Sequence, residues 1–81
     1  MDVRVLLFGP QAAAAGCETI SVSLPPGATC ADLRGVLGDK LPVLLPSLKE
    51  SRIALNSEFA ADSTRIGAGD EVALIGLVSG G

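Results

Sequence analysis

Few side chains in this sequence can do chemistry. Histidine is absent, which removes the usual general base and the commonest metal ligand. The two cysteines, Cys17 and Cys30, lie thirteen positions apart, a spacing that fits neither a Cys-x-x-Cys motif nor a zinc site. A disulfide between them is not expected, because one precedes a strand, the other begins a helix, and nothing marks an oxidising compartment. Cys30 falls in the first turn of that helix, where the dipole lowers a thiol pKa. No Gly-x-x-x-x-Gly-Lys-Ser/Thr loop occurs, so if ATP is used another protein binds it. What remains is the end of the chain, Ser79-Gly80-Gly81. Its carboxylate sits on Gly80-Gly81, a thread without side chains, able to enter a channel closed to any other residue. Three extended residues reach roughly 10 Å, enough to enter a pocket in another protein and too little to fold back far over this one. With a pKa of roughly 3.5 the α-carboxyl is ionised at neutral pH, and a carboxylate is a poor electrophile. Chemistry at Gly81 therefore needs an enzyme that first makes a mixed anhydride such as an acyl adenylate.

The rest of the chain must hold this end out. Eighty-one residues make one domain, 1–81, with a flexible tail at 79–81; such a domain buries only about 60% of its unfolded surface. Trp and Tyr are absent, so aliphatic packing must supply nearly all the stability. A net charge of −3 with six scattered basic residues argues against a nucleic-acid partner, which needs a clustered basic face. No apolar run approaches the roughly 20 residues that cross a bilayer. Val5 to Cys17 carries no charge, and Ala14-Ala15-Gly16-Cys17 looks a little like a lipoprotein cleavage site. Against that reading, Asp2 and Arg4 cancel, the apolar part is only Val5 to Phe8, and Gly9-Pro10 breaks it. The expected location is the cytoplasm, with no membrane partner and no metal.

Val3 to Phe8 is apolar on both faces and reads as a central strand. Pro10 through Ala15, with Gly16 after it, has the pattern of a one-turn helix. Glu18 to Leu24 alternates, with Ile20, Val22 and Leu24 on one face, and should pair with the first strand as a hairpin. Thr29 followed by Asp32 resembles a capping box, and Leu33, Val36, Leu37 and Leu41 form a stripe at helical spacing that ends near Lys40. Pro42 to Ser51 reads as a packed connection with a short turn near Ser47. Arg52 to Asn56 is a strand, Asn56-Ser57 a tight turn, Glu58 to Ala60 a short return, and Asp62 to Asp70 a loop. The last strand begins at Glu71 and runs toward the two glycines. Hairpin, helix, short hairpin and final strand close one core most economically as α+β: a β-grasp, ubiquitin-like fold, with a mixed sheet of four to five strands on one main helix and the two ends of the chain parallel at its centre.

If Val3, Val5 and Leu7 face the helix, then Arg4, Leu6 and Phe8 face outward; with Val72 and Leu74 inward, Glu71, Ala73 and Ile75 face outward. Leu6, Phe8, Ala73 and Ile75 would then form one apolar patch beside the exit of the tail, an interface in the making. The competing expectation is that Leu44, Leu45 or Leu48 folds over and buries it.

Val5-Leu6-Leu7-Phe8, Gly16, Ala54-Leu55-Asn56, Gly69-Asp70-Glu71-Val72-Ala73 and Val78-Ser79-Gly80-Gly81 span the chain. On these residues it resembles the small subunit of molybdopterin synthase, a ubiquitin-like sulfur carrier. The resemblance implies a subunit that is not catalytic alone. An ATP-dependent, E1-like activating enzyme would adenylate Gly81, and sulfur would replace one carboxyl oxygen to give a thiocarboxylate. The tail, Ser79, Gly80 and Gly81, would insert into the large subunit, in an assembly of two small and two large chains. There sulfur would pass to cyclic pyranopterin monophosphate and build the dithiolene of molybdopterin. No cofactor is expected on the chain beyond the transient AMP and sulfur at its end. The partner interface would comprise Leu6, Phe8, Ala73, Ile75, Leu77 and Val78. The family usually has Pro-Pro where this chain has Gly76-Leu77, so a stiff lead-in to the tail is lost. It also has an Arg-Glu pair where this chain has Gln11-Ala12-Ala13, which changes an expected partner contact. The alternatives are a sulfur carrier for thiamine thiazole or tRNA thiolation, a ubiquitin-like protein modifier, or a binding module whose glycines are incidental.

Overall fold

The computed structural model describes residues 1–48 and 50–76. Strand β1 (Asp2–Leu7) leads into helix α1 (Gly9–Ala15), strand β2 (Thr19–Ser23) and helix α2 (Cys30–Lys40). A 3₁₀ turn (Pro42–Leu44), a short helix α3 (Leu45–Leu48), and strands β3 (Ser51–Leu55), β4 (Glu58–Ala60) and β5 (Val72–Gly76) follow. The strands form one sheet in the order β2-β1-β5-β3-β4. β1 and β5 are parallel at its centre, and every other pairing is antiparallel. This is the β-grasp anticipated from the sequence.

The inward row of β1, Val3, Val5 and Leu7, is buried with Ile20 and Val22 of β2, Ile53 of β3, and Val72 and Leu74 of β5. Leu33 and Leu37 of α2, both fully buried, belong to the same core. At roughly 2 kcal/mol or more for each fully buried Leu, such pairs offset the missing aromatic volume. α2 starts where the sequence places it. Thr29 Oγ1 accepts from the Asp32 N–H at 3.3 Å, and Asp32 Oδ2 accepts from the Thr29 N–H at 2.9 Å, a complete capping box. At the other end Lys40 Nζ donates to the Ser21 carbonyl at 2.7 Å, tying the helix to the edge strand β2.

Three expectations change. The one-turn helix is seven residues long, because Pro10 supplies a helical φ at its start and Gly16, at φ 74°, closes it in the left-handed conformation that glycine adopts without penalty. Pro42 to Leu48 is helical rather than an irregular connection with a turn at Ser47. Proline is compatible with a first helical turn, and Pro42 and Pro46 each stand at the start of one of these short segments. The last strand begins at Val72, one residue later than expected. Arg34, which the sequence does not single out, fastens this region. Its guanidinium donates to the Leu48 carbonyl at 2.5 Å, the Ser51 carbonyl at 2.7 Å and Asp62 Oδ1 at 2.9 Å, so α2, the start of β3 and the loop after β4 are held together.

Candidate docking face and tail exit

β1 and β5 run the same way and β3 runs against them, so the end of β1, the end of β5 and the start of β3 meet at one edge of the sheet. The last described residue, Gly76, lies there opposite Ser51. The two sides of the sheet differ at this edge.

On the outer side, register aligns Leu6 with Ala73, Ala73 with Ala54, and Ala54 with Phe59, an apolar row crossing four strands. Toward the exit, Ile75 pairs with Arg52. Leu6, Phe8, Ala54, Phe59, Ala73 and Ile75, with Ser57 and Glu71, line a shallow concavity. The two phenylalanines are the chain's only aromatic residues, and both stand outside, Phe8 51% and Phe59 57% exposed. Neither ring contributes its full area to the core, and both add to one contiguous apolar outer face. The structure thus brings together Leu6, Phe8, Ala73 and Ile75 as expected. Leu44 and Leu48 do not cover them, being buried in the core, and Leu45 lies against Gly38 of α2. Leu77, Val78, Ser79, Gly80 and Gly81 lie outside the described residues.

Phe59 and Ala54 were missed because the short return Glu58 to Ala60 carries no readable alternation. Its register does: Phe59 opposite Ala54 puts it on the outer face.

Under the exit, on the inner side, α1 places Gln11. The side chain is 3% exposed, and its amide donates to Ser51 Oγ. Among the described residues its carbonyl oxygen has no hydrogen-bond partner, and the amide lies 3.6 Å from where a Cβ on Gly76 would be. Of the Gln11-Ala12-Ala13 stretch, expected to change a partner contact, Gln11 is turned inward and braces the end of β5.

The Cys30 expectation is also corrected. The thiol is fully buried, and burial, reinforced by nearby Asp62 and offset in part by Arg34, pushes its pKa up rather than down. Cys17 is exposed, and both cysteines are free. Among the described residues no cluster of three His, Cys, Asp or Glu side chains could hold a metal, and no helix is long and apolar enough to cross a membrane. The described residues thus set an apolar outer face beside the point where the chain leaves β5.

A model of the ThiS family matches residues 5–81. The chain belongs to the ThiS family. It is 33% identical over 85 residues to the molybdopterin synthase sulfur carrier subunit of Arabidopsis thaliana, an alignment covering 100% of this chain and 84% of that one. Its fold is similar to the crystal structure of SAMP1 from Haloferax volcanii, with a TM-score of 0.85, 30% identity and 100% of both chains covered. It is also similar to a chain in the complex of subunits 1 and 2 of molybdopterin-converting factor from Helicobacter pylori, with a TM-score of 0.71, 28% identity and 100% of both chains covered.

Some residues of this ThiS-family chain that carried the resemblance have local structural duties. Asn56 and Asp70 join the β3–β4 turn to the entrance of β5. The Asn56 N–H donates to the Glu71 carbonyl at 2.8 Å, and Asn56 Oδ1 accepts from the Glu71 N–H at 3.0 Å. Asp70 accepts from the Gly67 N–H at 2.7 Å and from the Asn56 amide at 3.1 Å. These bonds, the Gly67 one foremost, hold the Asp70 carboxyl below the usual carboxylate range. Gly69, at φ 87°, makes the bend before it. The network fixes where β5 starts, and therefore where the exit lies and which of its side chains face outward.

Proposed function

We propose that this chain is the sulfur carrier subunit of a molybdopterin synthase, and that its acyl end at Gly81 is the working group. The observation that carries this reading is the outward apolar face ending at the strand from which residues 77–81 continue. Five residues beyond Gly76 can span at most roughly 17 Å. A partner that holds the outer face therefore has the end of the chain within reach of a pocket a few residues deep. The chain's own part is to bind, aim and release; the bond changes take place on enzymes that it visits.

In this reading a carboxylate oxygen of Gly81 attacks the α-phosphorus of ATP on an activating enzyme, and pyrophosphate leaves. Sulfur at the sulfide level, as hydrosulfide, then attacks the acyl carbon, and AMP and a proton leave, giving the thiocarboxylate. Ser79, Gly80 and Gly81 enter the large subunit, whose active site directs the sulfur onto cyclic pyranopterin monophosphate. The outer face, extended by Leu77 and Val78, supplies affinity for both visits, and Gln11 with Ser51 keeps the end of β5 from swinging. Assembly of two small with two large subunits, ATP use by the activating enzyme alone, and a cytoplasmic site of action belong to the same proposal. The supporting relatives are the Arabidopsis sulfur carrier subunit and the two-subunit Helicobacter complex.

A second reading, attachment to other proteins, is favoured by the likeness to SAMP1, the small archaeal modifier protein 1. One experiment separates the two. The thiocarboxylated chain is incubated with the large subunit from the same organism and cyclic pyranopterin monophosphate. Formation of the dithiolene supports the carrier. No dithiolene, together with isopeptide-linked adducts in cells expressing a tagged chain, supports the modifier.

A further inference from the structure

Among the described residues Arg52 is the charged side chain that the strand register sets beside Ile75 at the exit end of the outer face. It is exposed on β3, pairs with Ile75 across the strands, and its guanidinium carbon stands 4.5 Å from the centroid of the Phe59 ring. The sheet thus presents Phe8, Ile75, Arg52 and Phe59 to whatever covers the exit. Asp2, Arg4 and Glu71 line the opposite end of the face near Gly69 and Asp70, and Glu71 also borders the concavity of Phe8 and Phe59. The other fixed guanidinium, that of Arg34, is committed to Asp62 and two carbonyls. Among the described residues Arg52 has no carboxylate partner.

That combination constrains what can dock. A partner that covers Phe59 and Ile75 must also cover the guanidinium between them, and removing an unpaired charge from water costs several kcal/mol. The contact with the Phe59 ring offsets only part of that cost. An aromatic ring has no carboxylate or carbonyl oxygen to accept from the five N–H donors of the guanidinium fork. Two of those donors match the two oxygens of a carboxylate.

We infer that the cognate partner places an Asp or Glu carboxylate against the edge of Arg52, within an otherwise apolar contact beside the point where the tail enters. The partner surface is thus apolar with one buried acid, and the Arg52–Phe59 stack is the element that fixes orientation around the exit. This inference rests on the proposed function, since it takes the covering protein to be the synthase large subunit.

The test measures binding of the full chain to the large subunit from the same organism by calorimetry, at low and at high salt. The variants are wild type, Arg52→Met, Arg52→Lys and Phe8→Asp, with far-UV circular dichroism and thermal melts confirming that each is folded. Met keeps the unbranched apolar stem and stacks on Phe59. The expected result is a loss of ten-fold or more for Arg52→Met and a smaller loss for Arg52→Lys, which keeps the charge without the fork. Wild type should weaken with salt more steeply than Arg52→Met. In addition, one acidic-to-amide substitution in the partner should lower wild-type affinity while leaving that of Arg52→Met unchanged. If Arg52→Met binds as tightly as wild type at both salt concentrations while Phe8→Asp does not bind, the carboxylate is refuted and the docking face stands. If wild type itself fails to bind, the proposed function and this inference fall together.

Discussion

Phe8 occupies a position where folding and binding make opposite demands, so Phe8→Asp should separate them. Phe8 is the N-cap of α1, with extended backbone angles of −133° and 155°, and no side chain caps the helix. Asp is among the best residues at such a position, and its carboxylate can accept from the free N–H groups of the first turn. Gaining a cap stabilises by about 1 kcal/mol, which in a domain of this size raises Tm by roughly 4–8 °C. The phenyl ring contributes little to offset this, being 51% exposed. For binding the sign reverses. An aromatic side chain offers roughly 200 Å², so about 100 Å² remains for a partner to cover. At ~25 cal/mol per Å² that area stabilises the complex by about 2.5 kcal/mol, or about 60-fold in Kd. Placing an unpaired carboxylate in the contact adds to the loss. Thermal melts of the isolated chain and calorimetric titration against the large subunit should therefore show Tm unchanged or raised and Kd weakened by about 60-fold or more. An affinity within two-fold or so of wild type would refute the assignment of the outer face, and a collapsed domain would refute the account of Phe8 as an exposed residue.

Other consequences are accessible to simple measurements. Asn56 and Ser57 both have positive φ, 52° and 71°, the two-residue turn that favours glycine at its second position; Ser57→Gly should stabilise by up to about 1 kcal/mol, read as a higher denaturation midpoint, and a lower midpoint would contradict the turn. Because the folded Asp70 carboxyl is held below its ordinary value, its contribution is present above the unfolded pKa of about 3.9 and is lost as pH falls through the lower folded value. The stability gap between wild type and Asp70→Asn should therefore narrow as acid denaturation is approached, and a gap that widens toward low pH would have the wrong sign. In the native chain a thiol reagent should label Cys17 quickly and Cys30 only on unfolding, since one is exposed and the other buried; equal rates would overturn the placement of Cys30.

The elements that could be read from the sequence are those whose cues are local. Alternation in Ile20, Val22 and Leu24, the helical stripe of Leu33 and Leu37, and the Thr29–Asp32 cap each fix an element within a few residues, and each forms where its pattern places it. The inward and outward rows of β1 and β5 followed from strand periodicity alone, which is why Leu6, Phe8, Ala73 and Ile75 could be grouped as one patch. What stayed hidden depends on distant pairing. Phe59 joins the patch only through its register with Ala54, and Arg52 reaches the exit only because β3 runs antiparallel to β5. Gln11 lies on a small helix with no local cue to its burial, which is set by Ser51, forty residues away. Cys30 sits at a helix start, where local reasoning lowers its pKa, but tertiary burial dominates and raises it. The tail residues 77–81 carry the chemical proposal and lie outside the described residues, so that proposal must be decided by chemistry.

The most direct measurement is the intact mass of the chain after incubation with ATP, the activating enzyme and a sulfur donor. The account predicts a species heavier by the difference between one sulfur and one oxygen, located at Gly81 by fragmentation and absent when ATP is withheld. A chain extended by one residue beyond Gly81 should not give a thiocarboxylate at Gly81 unless it is first trimmed. An unchanged mass for the wild-type chain, or cofactor production that survives the untrimmed extension, would contradict the claim that this fold exists to hold out a loadable acyl end.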